Sequence, residues 1–346
     1  METLIQVNMQ GFDSLNRSLI SRTKLVSPQP YKNTFNIFDN ILNFYKKGLS
    51  DEQVSKFIYL SSCAEKALDE ARGKRVKSAY VWIKTFEASS KSLPIELHHI
   101  SNTLYYPALS FVKYASGDYE GAISDVSHSL ITLRKINEDG LTLAMSAWFE
   151  QYLNTCRVLF ASKDYDKAFS ESANLIYFMV SGEYRMDESL VYLPGYKNLD
   201  KQETMSMIRY VTDAVIVKLC SLKEVDEMGK GFKIIFHNLI EYFYENNIEN
   251  DYYYFLQAIS SYFNGANDNF VEFFDKAINC SSNESSSYLK ALSMKLMILH
   301  VECQNMKISN EVIENLNLYA ASKLPLNGRS LDAFLVTNIT PLIKAY

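Results

Sequence analysis

Few residue patterns in this chain could do chemistry. Glu96 and His99 stand in an E-x-x-H arrangement within PIELHHI, the spacing by which one helix offers a carboxylate and an imidazole to a di-iron centre. Such centres need the motif on two helices, and no second copy occurs. His237 and Glu241 lie one helical turn apart, but no third ligand is near them in sequence and the five histidines are scattered. No metal site is therefore expected, and no cofactor is called for. The stretch ARGKRVK places Arg72, Lys74, Arg75 and Lys77 around a turn, where they could meet phosphate or an acidic partner, or simply solvate the end of a hairpin. A nucleophile elbow, a Gly-rich phosphate loop, a Walker lysine and a dinucleotide fingerprint are all absent from the sequence. The chain reads as a non-enzyme. An active site assembled from distant residues would leave no such motif, so an enzyme on a helical scaffold stays open at this stage.

The composition narrows the class. The 346 residues could hold one extended domain or two compact ones, and 47% are apolar, enough for a sizeable core. A formal charge of −5 argues against a protein that coats nucleic acid, whose phosphates select a basic surface. Only 12 Gly and 7 Pro occur, too few turn residues for a sandwich or barrel. The five cysteines, Cys63, Cys156, Cys220, Cys280 and Cys303, are far apart and mostly within apolar helical patterns. They read as reduced core residues rather than a disulfide framework or zinc site. The start METLIQVNMQGF has no basic stretch followed by an apolar run, and no segment approaches 18 uninterrupted apolar residues. The expectation is a soluble, cytoplasmic protein.

Residues 1–31 show little periodicity and end in SPQPY, where Pro28 and Pro30 forbid a helix interior; they are expected to form an N-terminal arm. From Asn33 the pattern becomes helical, and residues 32–346 read as one helical domain. NTFNIFDNILNFYKKG sets Phe35, Phe38, Ile41, Leu42 and Tyr45 at helical spacing. Ser50 and Gln53 then form a capping-box pair before a long helix that Gly73 closes. Helix pairs follow, turning near residues 73, 117, 163, 222, 265 and 305, with a terminal helix in SLDAFLVTNITPLIKAY to cap the end. Pro107 is expected to kink one of these helices. The spacing of the turns is that of an α-solenoid, in which each hairpin buries its apolar faces only by stacking on its neighbours. One step is longer, and its excess falls in residues 181–203, expected to be a loop inserted for function or motion.

Three of the turns share a phrase: GDYEGAISDVSHSL from Gly117, KDYDKAFSESANL from Lys163 and GANDNFVEFFDKAI from Gly265. Gly117, Tyr119, Ala122 and Val126, then Lys163, Tyr165 and Ala168, then Gly265, Phe270, Phe274, Ala277 and Ile278 resemble the tetratricopeptide repeat. The resemblance is specific for these three hairpins and architectural over about residues 50–322. The period exceeds the usual 34 residues of that family, and the proline that normally closes each repeat is missing. It implies an all-α, right-handed solenoid of about six antiparallel hairpins that binds a peptide or protein along the concave face of each first helix. By register that face would carry Phe111 and Tyr114, then Asn154, Arg157 and Phe160, then Phe255, Ile259 and Tyr262. Asn154 and Arg157 sit three apart on one helical face, where an amide can bond a peptide backbone and a guanidinium can hold a carboxylate. The family's Lys/Asn carboxylate clamp is not reproduced. The aromatic run DYYYFLQAISSYF could be a sticky groove or hairpin packing. The function expected is thus a non-catalytic peptide- or protein-binding module acting through its concave groove, as a peptide-responsive regulator, with a structural adaptor of a larger complex as the alternative. A homodimer is neither required nor excluded.

Overall fold

In the computed structural model the described residues are 36–141, 144–182, 184–186, 189–191, 201–222, 225–282 and 287–303. The expected N-terminal arm, the partner of the last helix and the terminal capping helix lie outside them. The described chain is predominantly helical, as the composition requires, and falls into two compact units that divide between Thr204 and Met205.

The first unit opens with a short amphipathic helix, α1 (Asn36–Tyr45), and a 3₁₀ turn at Lys46–Gly48. Then come α2 (Asp51–Arg72), α3 (Val76–Ser90), α4 (His98–Ser116), α5 (Tyr119–Glu138), α6 (Ala144–Ser162) and α7 (Tyr165–Ser181). From α2 to α7 consecutive helices pack on one another, α2 also packs on α4, and α1 packs on α4 and α6. The Ser50–Gln53 capping box forms in full, satisfying two backbone donors that a helix start leaves orphaned. Pro107 lies inside α4 without ending it.

Residues 181–203 depart from the expected loop. Strands β1 (Tyr184–Met186) and β2 (Ser189–Val191) pair antiparallel, and β1 packs on α7. The segment between β2 and the next helix lies outside the described residues.

The second unit comprises most of α8 (Lys201–Leu219), then α9 (Val225–Glu245), α10 (Asp251–Phe263), α11 (Asn267–Asn279) and α12 (Ser287–Cys303). The α10–α11 hairpin packs Tyr262 against Phe270 and Phe255 against Phe274. Thr212 on α8 shares a 2.7 Å hydrogen bond with the buried Tyr252 hydroxyl, and Asp213 accepts one of 2.6 Å from the Tyr288 N–H at the start of α12.

The repeated phrase builds one repeated turn. Gly117, Lys163 and Gly265 all adopt positive φ, at 85°, 65° and 70°. In each case the next residue donates its N–H to the carbonyl five positions back: Asp118 to Lys113, Asp164 to Leu159, Ala266 to Ser261. The same turn stands between α5 and α6 at Gly140, between α9 and α10 at Asn247, and between α2 and α3, where Lys74 has φ 60° and Arg75 bonds back to Glu70. The turn residue there is Lys74, one beyond the glycine that its letters suggested. Five, nine and twelve residues after Lys74, Gly117, Lys163 and Gly265 the chain is buried: Ala79, Ile83 and Phe86; Ala122, Val126 and Ser129; Ala168, Ser172 and Leu175; Phe270, Phe274 and Ala277.

A side chain in the left-handed region is strained by its Cβ, by roughly 1–2 kcal/mol, and glycine is not. Lys163→Gly is therefore expected to raise stability by about 1 kcal/mol, read as a higher urea midpoint at unchanged m-value.

Candidate functional site

The first unit contains a cleft of about 180 Å³ that opens between α1 and the first helices of three successive hairpins. Its walls come from Phe38 and Ile41 on α1, Ala64 and Leu68 on α2, Leu104, Pro107 and Ala108 on α4, Leu133 on α5, and Ala147 on α6. Ser61, Glu65, Thr103, Glu150 and Gln151 supply its polar lining. A mostly apolar hollow with a few polar groups is the usual form of a binding site.

The sequence of α1 explains which of its sides is buried. Phe38, Ile41 and Leu42 fall on one side at helical spacing and are buried, while Asp39, Asn40 and Asn43 are exposed. Tyr45 continues the apolar stripe. Its hydroxyl donates a 2.7 Å hydrogen bond to Asp139 Oδ2 at the end of α5, and its ring meets His99 edge-on at 5.3 Å. Burial, and then the Asp139 carboxylate, push the Tyr45 hydroxyl well above its ordinary pKa, so it stays a proton donor to Asp139 through the neutral range.

The two residues singled out on α6 are brought together beside this cleft. Arg157 Nη1 donates to Asn154 Oδ1 at 2.7 Å and to Glu150 Oε1 at 2.9 Å, and Asn154 Nδ2 reaches Gln151 Oε1 at 3.5 Å. Glu150 and Gln151 are themselves cleft-lining residues. The pair therefore orients the polar edge of the cleft through its neighbours. Sequence reasoning found the pair but missed Glu150 and Gln151, which the same helical spacing places one turn earlier on the same face.

The other six nominated residues are dispersed. Phe111 and Tyr114 pair at 5.9 Å near the α4–α5 turn, half-buried, with the Arg72 guanidinium 5.8 Å above the Phe111 ring. Phe160 is buried against Phe169 in the α6–α7 hairpin, and Phe255 and Ile259 are buried in the second unit. These three are core residues, not an open face. The physical reason is that the first helix of a hairpin is packed along both flanks, leaving only a narrow stripe exposed. Tyr262 is half-buried against Phe270. The aromatic run on α10 is correspondingly mostly packing, with Tyr252, Tyr253, Phe255 and Leu256 all buried.

The basic turn is locally satisfied in part: Arg75 Nε lies 2.5 Å from Glu70 and Arg72 Nη1 3.2 Å from Asp69. His237 and Glu241 form an exposed contact of 3.3 Å, and among the described residues no three His, Cys, Asp or Glu side chains gather as a metal would need. No described helix is long and apolar enough to cross a membrane.

Burial pushes the Cys156 and Cys220 thiols up to about 12, and Cys63 is raised by the same cause. Thiols held neutral and buried are inert, whereas Cys280 is only half-buried. Under native conditions a maleimide is expected to modify Cys280 well before Cys63, Cys156 or Cys220, with site occupancy read by peptide mass spectrometry.

Comparisons of the chain with protein-family models, with curated proteins and with solved structures return no match.

Proposed function

We propose that this chain is a non-catalytic, tetratricopeptide-like helical-repeat module that binds a peptide or protein segment on the face formed by the first helices of its hairpins. Stacking of the hairpins into a right-handed solenoid is part of this reading, since hairpins that share one turn and one buried register extend naturally by repetition. The observation that carries it is the cleft lined mainly by the first helices α2, α4 and α6, with Leu133 of α5 and the helix α1, and edged by Glu65, Glu150 and Gln151. Apolar walls supply affinity for side chains of a segment, and the polar edge supplies orientation.

The test is affinity purification from the native host with mass spectrometry of everything retained, down to short peptides, against an Asn154→Ala/Arg157→Ala control. Loss of the support that Arg157 gives Glu150 should release a peptide held at the cleft. Large partners retained equally by both proteins would instead favour an adaptor that uses other surfaces.

A further inference from the structure

α1 lies against the face on which a partner would bind. It packs on both α4 and α6, and with α2 these helices line the cleft. Its contact set is that of an amphipathic helix in a groove, with anchors at Phe38, Ile41, Leu42 and Tyr45, that is at positions 0, +3, +4 and +7. Ile41 is only 1% exposed and Phe38 9%.

The seat is incompletely filled. About 180 Å³ remains open beside Phe38 and Ile41, several times the volume of a methyl group, and a better-fitting occupant would gain the contacts this void forgoes. Two carboxylates, Glu65 and Glu150, line the open space. Glu150 already takes a hydrogen bond from Arg157. Glu65 is exposed on α2 and is placed to meet a cation. The tether is short: residues 46–48 form an exposed 3₁₀ turn and the half-buried Leu49 is extended before the Ser50 cap. Rotation about these few residues would swing α1 away without disturbing α2, whose start is fixed by its own capping box.

We propose that α1 is an internal stand-in for the partner. On this view, which rests on the function proposed above, the face of α2, α4 and α6 takes an amphipathic helix in trans. That helix carries aromatic or aliphatic side chains at 0, +3, +4 and +7 and a basic side chain facing Glu65, and α1 must leave before it binds. Apparent affinity is then reduced by the fraction of molecules in which α1 is seated.

The experiment uses the full chain and a fluorescent synthetic peptide of residues 34–48, TFNIFDNILNFYKKG. Anisotropy titrations compare the wild type with Ile41→Asp, which ejects α1, and with Tyr45→Phe, which only removes its bond to Asp139. Expected are at least tenfold tighter peptide binding by Ile41→Asp, a several-fold gain for Tyr45→Phe, and loss of binding when the peptide itself carries Ile41→Asp. Absent or equal binding by natively helical Tyr45→Phe and wild type, with no gain in Ile41→Asp, would overturn the inference and leave α1 as a fixed part of the core. The peptide comes from this chain, so the result does not depend on whether a host partner is retained in the purification.

Discussion

Asp251→Ala is expected to destabilise the second unit by about 3–5 kcal/mol, the usual cost of stripping one partner from a buried ion pair. Asp251 is 2% exposed at the start of α10, and its Oδ2 lies 3.1 Å from Lys290 Nζ on α12, itself 15% exposed. Its other oxygen accepts a 3.0 Å hydrogen bond from Ser282 Oγ, which in turn accepts the Asp251 backbone N–H at 2.7 Å. The carboxylate thus ties together the beginning of α10, the chain leaving α11 and the first turns of α12. It also sits in the first turn of a helix, where negative charge is favoured. Removing it takes away a carboxylate 3.1 Å from the Lys290 ammonium and the acceptor of the Ser282 hydroxyl. The double variant Asp251→Leu/Lys290→Met removes both charges together and should recover more than half of the loss, because the desolvation cost leaves with the attraction. Urea denaturation followed by circular dichroism gives the energies, and faster amide exchange confined to α10–α12 would locate them in the second unit.

Much of the helix map could be read from letters whose physics is local. Ser50 and Gln53 announce a helix start because both of their bonds lie within one turn, and Gly117 and Gly265 announce positive φ because few other residues adopt it without strain. The turn at Lys74 was harder to place. Gly73 stands beside it, yet the structure puts the left-handed residue one step later, and only the backbone bond from Arg75 to Glu70 makes the register visible. Residues 184–186 and 189–191 do not read as strands in the sequence because two three-residue strands carry too little alternation to stand out from a loop.

The cleft was legible only in part, for a different reason. Asn154 and Arg157 could be singled out as polar groups amid apolar neighbours, and they do lie together. Whether a residue such as Phe160 or Ile259 faces a groove or a neighbouring helix depends on which flanks are covered, and that is decided by packing between elements distant in sequence. The placement of α1 is the clearest case. Its stripe of Phe38, Ile41, Leu42 and Tyr45 shows that one side must be buried, but nothing local says that the side would be laid on α4 and α6.

Phe270→Ala separates the letters of the repeat from its packing. At the position five residues after the turn, the other three hairpins carry Ala79, Ala122 and Ala168, all fully buried, so a reading by consensus would place alanine here too and forecast a gain. The α10–α11 hairpin has exchanged volumes instead. It carries Phe270 at that position and the small Ala277 seven residues later, where Phe86 and Leu175 stand in two of the others. The Phe270 ring is fully buried and contacts Tyr262 at 5.2 Å, Phe274 at 6.2 Å and His300 on α12 at 5.6 Å. Truncation would open a cavity among three rings on three helices, and large-to-small changes of this kind cost about 3–5 kcal/mol. The expected result is therefore a strong loss of stability, measured by urea denaturation. Adding Ala277→Leu should restore part of it, since the double variant returns the arrangement of small and large residues seen in the α6–α7 hairpin. A gain from Phe270→Ala alone would show that the side chain, and not the repeat, is the exception. Failure of Ala277→Leu to restore any stability would show that volume is set by α12 rather than shared along α11.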